Sequence, residues 1–467
     1  MALEQRQRGV AAMVTRDGQI SALQLGGVIV TSLAALVAVV WTQPVALAVA
    51  AAVGALTGWR LLGGWPTLVL LSFAASLFRS IPAFGTALSS GVWQGLQFGA
   101  IALALVLLPW RQLSASALGW PGRPGRRPLA WAAMSFTALV VVALASMAWS
   151  ASPRVSLVAA LASALMLVFL IASAQLRWRD SDRRRHDVAL LWWAGVVAQG
   201  LGLLGYLVGN TWSVQYAGRY GGLFANANFS GMLSALMLPV ALVVAERASR
   251  RGRWLTGVGA SILLTTLLLS GSRGGLLSTV AGVLTVLVVL RWSAARRWLA
   301  PILAVGIVSA LAAALATWLA STSPLASYSR ELSEVDVLSG RSELYLASLR
   351  RFAAHPILGS GFNTGPEFNA DRLQAHNIVL TVATDLGVLG LVPFLVGLVA
   401  LAVAARPLAR GNLLLGGAVA VLLNDMAESS LFGWGNSTAL LSWLILVAAA
   451  MAGRSLAERQ QDSPRPS

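Results

Sequence analysis

The sequence predicts an all-α protein: a polytopic transmembrane helical bundle of about 12 to 14 spans with one larger loop near its C-terminal end. Three observations predict it. The 467 residues are 57% hydrophobic and only 11% charged, against about 25% charged in soluble domains. One aqueous core would strain to bury so much apolar surface, whereas hydrocarbon accepts it once each helix satisfies its own backbone. The apolar residues also come in continuous runs of about 20, enough for a helix to cross a bilayer, not in the short alternating segments of a membrane barrel. Finally, the 34 basic residues, every one an Arg, gather between those runs.

A net charge of +17 would suggest nucleic acid as the partner of a soluble domain. Here membrane orientation explains it, because cytoplasmic loops collect Arg and Lys, so no nucleic acid is expected. The chain has no Cys, which excludes disulfides and thiolate metal sites. The stretch Met1 to Ile20 is polar and lacks a small-residue cleavage pattern, so the first apolar run is expected to be a retained helix.

Taken in order, helices are expected at 21–41, 44–58, 64–79, 91–109, 128–148, 155–175, 188–208, 227–245, 254–271, 274–291, 298–320, 378–405, 411–429 and 437–453. The pair 44–58 and 64–79 is short and interrupted by Pro44 and Pro66. With both termini cytoplasmic, 25 of the 34 Arg fall on the inner side, and five of the other nine lie in 321–376. The expected organisation is one integral membrane domain: spans over 21–320, a periplasmic loop at 321–376, spans over 377–453 and a cytoplasmic tail at 454–467. That loop exceeds the about 15 residues beyond which loops are usually functional or disordered. Within it "SELYLASLRRFAA" is expected to form an amphipathic helix with Leu344, Leu346, Leu349 and Phe352 on one side. No internal repeat is evident, which weakens an inverted-repeat transporter reading.

The polar residues that stand out lie on the outer side. In "LLLSGSRGGLLS" Arg273 falls between two apolar runs, where a guanidinium is costly unless paired or wet. Gly271, Gly274 and Gly275 permit a tight turn and close approach of a ligand. The alternative is a snorkelling Arg that ends a helical hairpin. Arg341 opens the loop helix, where backbone donors and a cation suit an anion, although plain surface charge explains it equally. Arg350 and Arg351 read as a solvated or headgroup-facing side.

Three histidines occur. His186 lies in a cytoplasmic Arg cluster and reads as charge, and His355 precedes Pro356 and reads as a turn residue. His376 stands at the membrane boundary beside Asn377, on the face of Arg273 and Arg341, and an imidazole is the side chain suited to a general base. A lone boundary histidine is nevertheless more often structural. "GRYGGLFANANFSG" brings Arg219, Asn226 and Asn228 to another outer helix end, with Asn228 as the candidate cap. Asp425 and Glu428 lie in or near the penultimate span, where acids face the bundle interior. Either can orient His376 or pair with an Arg. No metal-ligand spacing, Walker loop or dinucleotide signature is present, so neither metal nor other cofactor is expected.

Four segments in order, "RYGGLFANANFSGMLSALMLP", "LLLSGSRGGLL", "SGRSELYLASLRRFAAHPILGSGFNTG" and "AHNIVLTVATDLGVLGLVPF", resemble the O-antigen ligase and polymerase superfamily of bacterial envelope glycosyltransferases. The resemblance covers about residues 218–394 and implies a bundle similar to other (GT-C type) transferases with lipid-linked donors. It implies transfer of a glycan from a polyprenyl-diphosphate carrier, on the periplasmic face of the bacterial inner membrane, without metal. Carried over, Arg273 and Arg341 bind the donor diphosphate and His376 activates the acceptor hydroxyl, while Asn377 shapes the helix entry. Arg219, Asn228 and Glu428 are candidates for support. The acceptor is lipid A-core for a ligase, or a growing glycan for a polymerase; protein glycosylation is a third version. Membrane lipids are further partners. Ile378, Val379 and Leu380 follow the His-Asn pair where the family often has an aromatic residue, and fourteen spans exceed the twelve expected of a ligase. A lipid-linked sugar transporter is disfavoured, because it needs polar groups through the bundle midplane.

Overall fold

A computed structural model of the chain describes residues 62–80, 90–108, 127–208, 213–214, 219–224, 226–290, 298, 301–302, 305–306, 308–309, 341–364, 375–406, 412–433 and 437–462. Within these the named elements are helical: α1 (Gly64–Ser80), α2 (Ser90–Val106), α3 (Arg127–Ala145), α4 (Pro153–Leu176), α5 (Ser181–Leu207), α6 (Ala227–Glu246), α7 (Arg250–Ser270), α8 (Arg273–Val289), α9 (Arg341–Ala354), α10 (Ile378–Ala405), α11 (Leu414–Asp425) and α12 (Ser437–Asp462). A 3-10 turn, Ser146–Ala148, extends α3. Among the described residues seven helices (α3 with that turn, α4, α5, α6, α7, α10 and most of α12) are long and apolar enough to cross a membrane. α1, α2, α8 and α11 are shorter apolar helices. The chain is thus a polytopic helical bundle. The expected spans 21–41 and 44–58 lie outside the described residues, as does most of 298–320.

Local sequence explains the helix ends. Asp180, not an apolar residue near 188, starts α5: its side chain accepts from the Asp182 and Arg183 amides. Pro153 opens α4 at a position where its missing N–H costs nothing. α7 ends on Gly271 in the left-handed region (φ 62), which glycine adopts without steric cost. α12 runs on to Asp462, into the stretch read from sequence as tail.

α6 and α12 form the interior. Met232, Leu233, Leu236 and Met237 of α6 and Leu440, Leu441, Leu444 and Ile445 of α12 are buried. The outer helices α3, α4 and α10 expose Val141, Val158, Leu161, Val392 and Val399, as lipid-facing surfaces do. Gly282 of α8 and Gly416 of α11 bring their backbones together, since a Cβ on Gly282 would strike the Gly416 carbonyl and Pro239. Small residues of this kind let helices approach where lipid supplies no hydrophobic drive. At the start of α8, Gly274 packs in the same way against Ala427 in the segment that follows α11.

Two expectations are corrected. The loop helix forms, but Leu346 and Leu349 are half exposed while Ser348 is buried. At about 100° per residue, 346 and 349 fall opposite 344 and 348, so the four apolar side chains make no single stripe. The expected span 378–405 is helical but broken at Gly387 (φ 61, ψ −160).

Candidate functional site

Glu428 lies past the end of α11, in a turn outside the membrane-spanning helices. Asp425 holds that turn: its Oδ1 accepts from the Ser430 and Leu431 amides at 2.9 and 3.0 Å. Of the two acids noted in the sequence, Asp425 therefore shapes the backbone and Glu428 meets the functional candidates.

The Glu428 carboxylate bridges two of them. Its Oε2 lies 2.8 Å from His376 Nδ1, and its Oε1 accepts from Arg341 Nη2 at 2.7 Å. Arg341 Nη1 also donates to the Ala427 carbonyl. Asn228 Nδ2 donates to Glu428 Oε1 at 3.0 Å, and Asn228 Oδ1 accepts from Arg219 Nη2 at 2.6 Å. Arg219 Nε in turn donates to the Ser270 carbonyl at the end of α7 at 2.8 Å. One network thus gathers the ends of α6, α7, α9, α10 and α11 at the same end of the bundle.

Burial alone would raise the Glu428 carboxyl. The hydrogen bond from His376 and the nearby charge of Arg341 outweigh that and hold it below its usual value of 4.5. It is a carboxylate at neutral pH, able to accept from a proton on His376 Nδ1. A carboxylate placed against an imidazole in this way can fix the orientation and tautomer of the ring.

The backbone aims the imidazole. His376 sits at φ 48, a left-handed conformation that costs a non-glycine residue about 1–3 kcal/mol and marks sites where surroundings overdetermine the geometry. The next residue, Asn377, caps α10: Oδ1 accepts from the Val379 and Leu380 amides, each at 3.0 Å. Its Nδ2 donates to the Met426 carbonyl at 3.0 Å, which ties the start of α10 to the turn bearing Glu428.

Arg273 is the first residue of α8 and half-buried. Ser272 caps this helix by accepting from the Gly275 amide at 3.2 Å. Gly274 packs against Ala427, whose Cβ would lie 3.1 Å from a Cβ added there. Arg273 therefore stands beside the segment that holds Arg341 and His376, at a helix N-terminus whose dipole favours an anion.

Three sequence expectations change. Asn226 caps α6, not Asn228: in extended conformation (φ −143, ψ 132) its side chain accepts from the Asn228 amide at 2.7 Å, which frees the Asn228 side chain for Arg219 and Glu428. Arg351 is not a solvated residue, since its Nε donates to Ser360 Oγ at 2.8 Å and its Nη2 to Thr364 Oγ1 at 3.0 Å, whereas Arg350 is exposed. His186 is half-buried beside Asp187, which accepts a bidentate pair from Arg177. No group of three or more potential metal ligands occurs among the described residues.

Residues 258–395 match the family model described as O-Antigen ligase. The match includes Arg273, Arg341 and His376 and stops short of Glu428. No curated protein matches the chain.

Proposed function

We propose, from the premise that this polytopic helical chain carries a domain of the O-antigen ligase superfamily, that it transfers a glycan from a polyprenyl-diphosphate carrier to an acceptor hydroxyl. The observation that carries the reading is the single carboxylate of Glu428 holding Arg341 on one oxygen and His376 on the other. A base for the acceptor and a cation for the leaving group are thereby fixed to a common point.

The chemistry follows from those groups. His376 Nε2 takes the proton of the acceptor hydroxyl as its oxygen bonds to the anomeric carbon. The bond from that carbon to the diphosphate oxygen breaks, and the carrier diphosphate leaves with the electron pair. Arg341 has five N–H donors, of which Glu428 and Ala427 take two. Its remaining donors, with Arg273 at the start of α8, meet the charge developing on the diphosphate. Attack opposite the leaving group inverts the anomeric centre. Glu428 stabilises the imidazolium that forms, and Arg219 and Asn228 brace Glu428.

We place the site on the periplasmic face of the bacterial inner membrane with both termini cytoplasmic, on the strength of the Arg distribution. Among acceptors we favour lipid A-core, the acceptor of a ligase. Reconstitution of the full chain with a polyprenyl-diphosphate glycan and candidate acceptors, scored by product length, tests this. Product on lipid A-core identifies a ligase, a ladder on the carrier a polymerase and product on protein an oligosaccharyltransferase. No product with any acceptor would overturn the reading.

A further inference from the structure

The segment after α9 is built into the break in α10. At Gly387 the helix stops supplying its own hydrogen bonds, and residues 356–361 supply them instead. The Ser360 amide donates to the Thr384 carbonyl at 3.0 Å and the Gly361 amide to the Asp385 carbonyl at 2.9 Å. On the other side of the break, the Val388 and Leu389 amides donate to Pro356 and Ile357 at 2.9 and 3.3 Å. Irregular backbone at membrane depth is tolerated only where protein satisfies it in this way.

Side chains lock the exchange. Buried Asp385 accepts from the Asn363 amide at 2.8 Å on Oδ2, and Asn363 is itself left-handed (φ 60). Arg351, in the last turn of α9, grips Ser360 and Thr364. The α3–α4 corner holds the segment from behind: Ser146 Oγ accepts from the Phe362 amide at 3.0 Å and Ser156 Oγ donates to its carbonyl at 2.8 Å. α9 is therefore fastened at its C-terminal end to the same helix whose first turn follows His376. Its N-terminal residue is Arg341, nearly three turns away.

We propose that Arg351 and Asp385 are positioning residues: through the strap Pro356–Thr364 they fix α9 to α10 and so set where Arg341 stands relative to His376. Neither touches the reacting groups. The proposal rests on the transfer reaction inferred above, and its test separates the two.

Spin labels on cysteines introduced by Ala347→Cys on α9 and Ala151→Cys at the α3–α4 corner, both exposed in a chain without native Cys, report the placement of α9 without any turnover. Arg351→Gln and Asp385→Ala should broaden the interlabel distance distribution, and Asp385→Asn, which keeps an oxygen for the Asn363 amide, should restore it. An unchanged distribution in both variants overturns the proposal. In turnover, Arg351→Gln should lower kcat about 10- to 100-fold, the scale of a small misplacement, with acceptor KM unchanged. In an Arg341→Gln background the same change should cost less than about twofold, because the group it misplaces is gone. Fully additive losses overturn the positioning role. A parent inactive on every donor would overturn the transfer reading and the kinetic half of this proposal, while the label distances would still decide the anchoring half.

Discussion

His376 Nδ1 and Glu428 Oε2 lie 2.8 Å apart across 52 residues of sequence, and in the proposed transfer this pair sets which nitrogen of the imidazole faces the acceptor. A carboxylate there stabilises the imidazolium formed as the hydroxyl loses its proton. An amide has the same shape without the charge. Glu428→Gln is therefore expected to lower kcat by about 100-fold or more in a protein that still folds. Initial rates in proteoliposomes check it, and a Glu428→Gln rate within twofold of the parent would remove Glu428 from the mechanism.

The same carboxylate links stability to acid. Its folded pKa lies below 4.5 although burial pushes the other way, because His376 and Arg341 reverse the effect of burial. A depressed carboxyl contributes stability that is fully present above its unfolded value and is lost as pH falls through the folded one. The thermal midpoint of the purified chain should accordingly drop as pH falls below about 4.5. Glu428→Gln should be less stable at neutral pH and should lack that part of the drop. Parallel melting curves for both proteins from pH 7 to pH 3 read it out.

Much of the fold is legible in the sequence because hydrocarbon demands helices and length follows from bilayer thickness. Eleven of the expected spans coincide with described helices to within a few residues, apart from the longer ends of α5 and α12. Arg273, Arg341 and His376 stand out for a related reason, being polar groups at the ends of apolar runs. What stays hidden is pairing. Nothing in "LLNDMAESS" distinguishes Glu428, which bridges two functional candidates, from Asp425, which ties a turn, because only the tertiary fold decides which acid faces which neighbour. The break at Gly387 is equally hidden, since a single glycine in an apolar run is compatible with a continuous helix and the hydrogen bonds that compensate come from residues 356–361.

Arg341 and Arg273 are expected to differ in how they tolerate Lys. Arg341 already spends two donors on Glu428 and Ala427, and only a planar fork can do so and still face the diphosphate. Arg341→Lys should cost about 10-fold or more in kcat, whereas Arg273→Lys, which keeps charge at a helix N-terminus, should cost less. Arg273→Ala and His376→Ala should abolish transfer while leaving a folded chain. Donor titrations with each variant separate these outcomes, and wild-type-like turnover in either Ala variant would refute that residue's role.

The orientation can be read without turnover. The chain lacks Cys, so His376→Cys introduces one thiol at the site. In intact cells that thiol should react with a membrane-impermeant maleimide added outside the inner membrane, as should Ala347→Cys on exposed α9. Cys introduced by Arg183→Cys at the opposite, exposed end of α5 should react only after the membrane is opened. Labelling of position 376 from the cytoplasm alone would end the periplasmic assignment.

Transfer should continue in the presence of a chelator. A diphosphate leaving group must have its charge offset as the anomeric bond breaks, and enzymes do this with divalent cations or with guanidiniums. Among the described residues, cationic groups gather near His376, the proposed base: Arg341 is held 2.7 Å from Glu428, and Arg273 begins the helix packed on Ala427. Glu428, an acid described at this site, already pairs with Arg341 and His376. A cation recruited there would have to compete with both for the same two oxygens, and binding it would draw Glu428 away from the imidazole it orients. Turnover is thus expected to be unchanged within about twofold by excess chelator, and added magnesium or manganese should not raise it. A strict requirement for either metal, restored by titration after chelation, would show that the two guanidiniums do not suffice and would reassign Glu428 from orienting His376 to binding a cation.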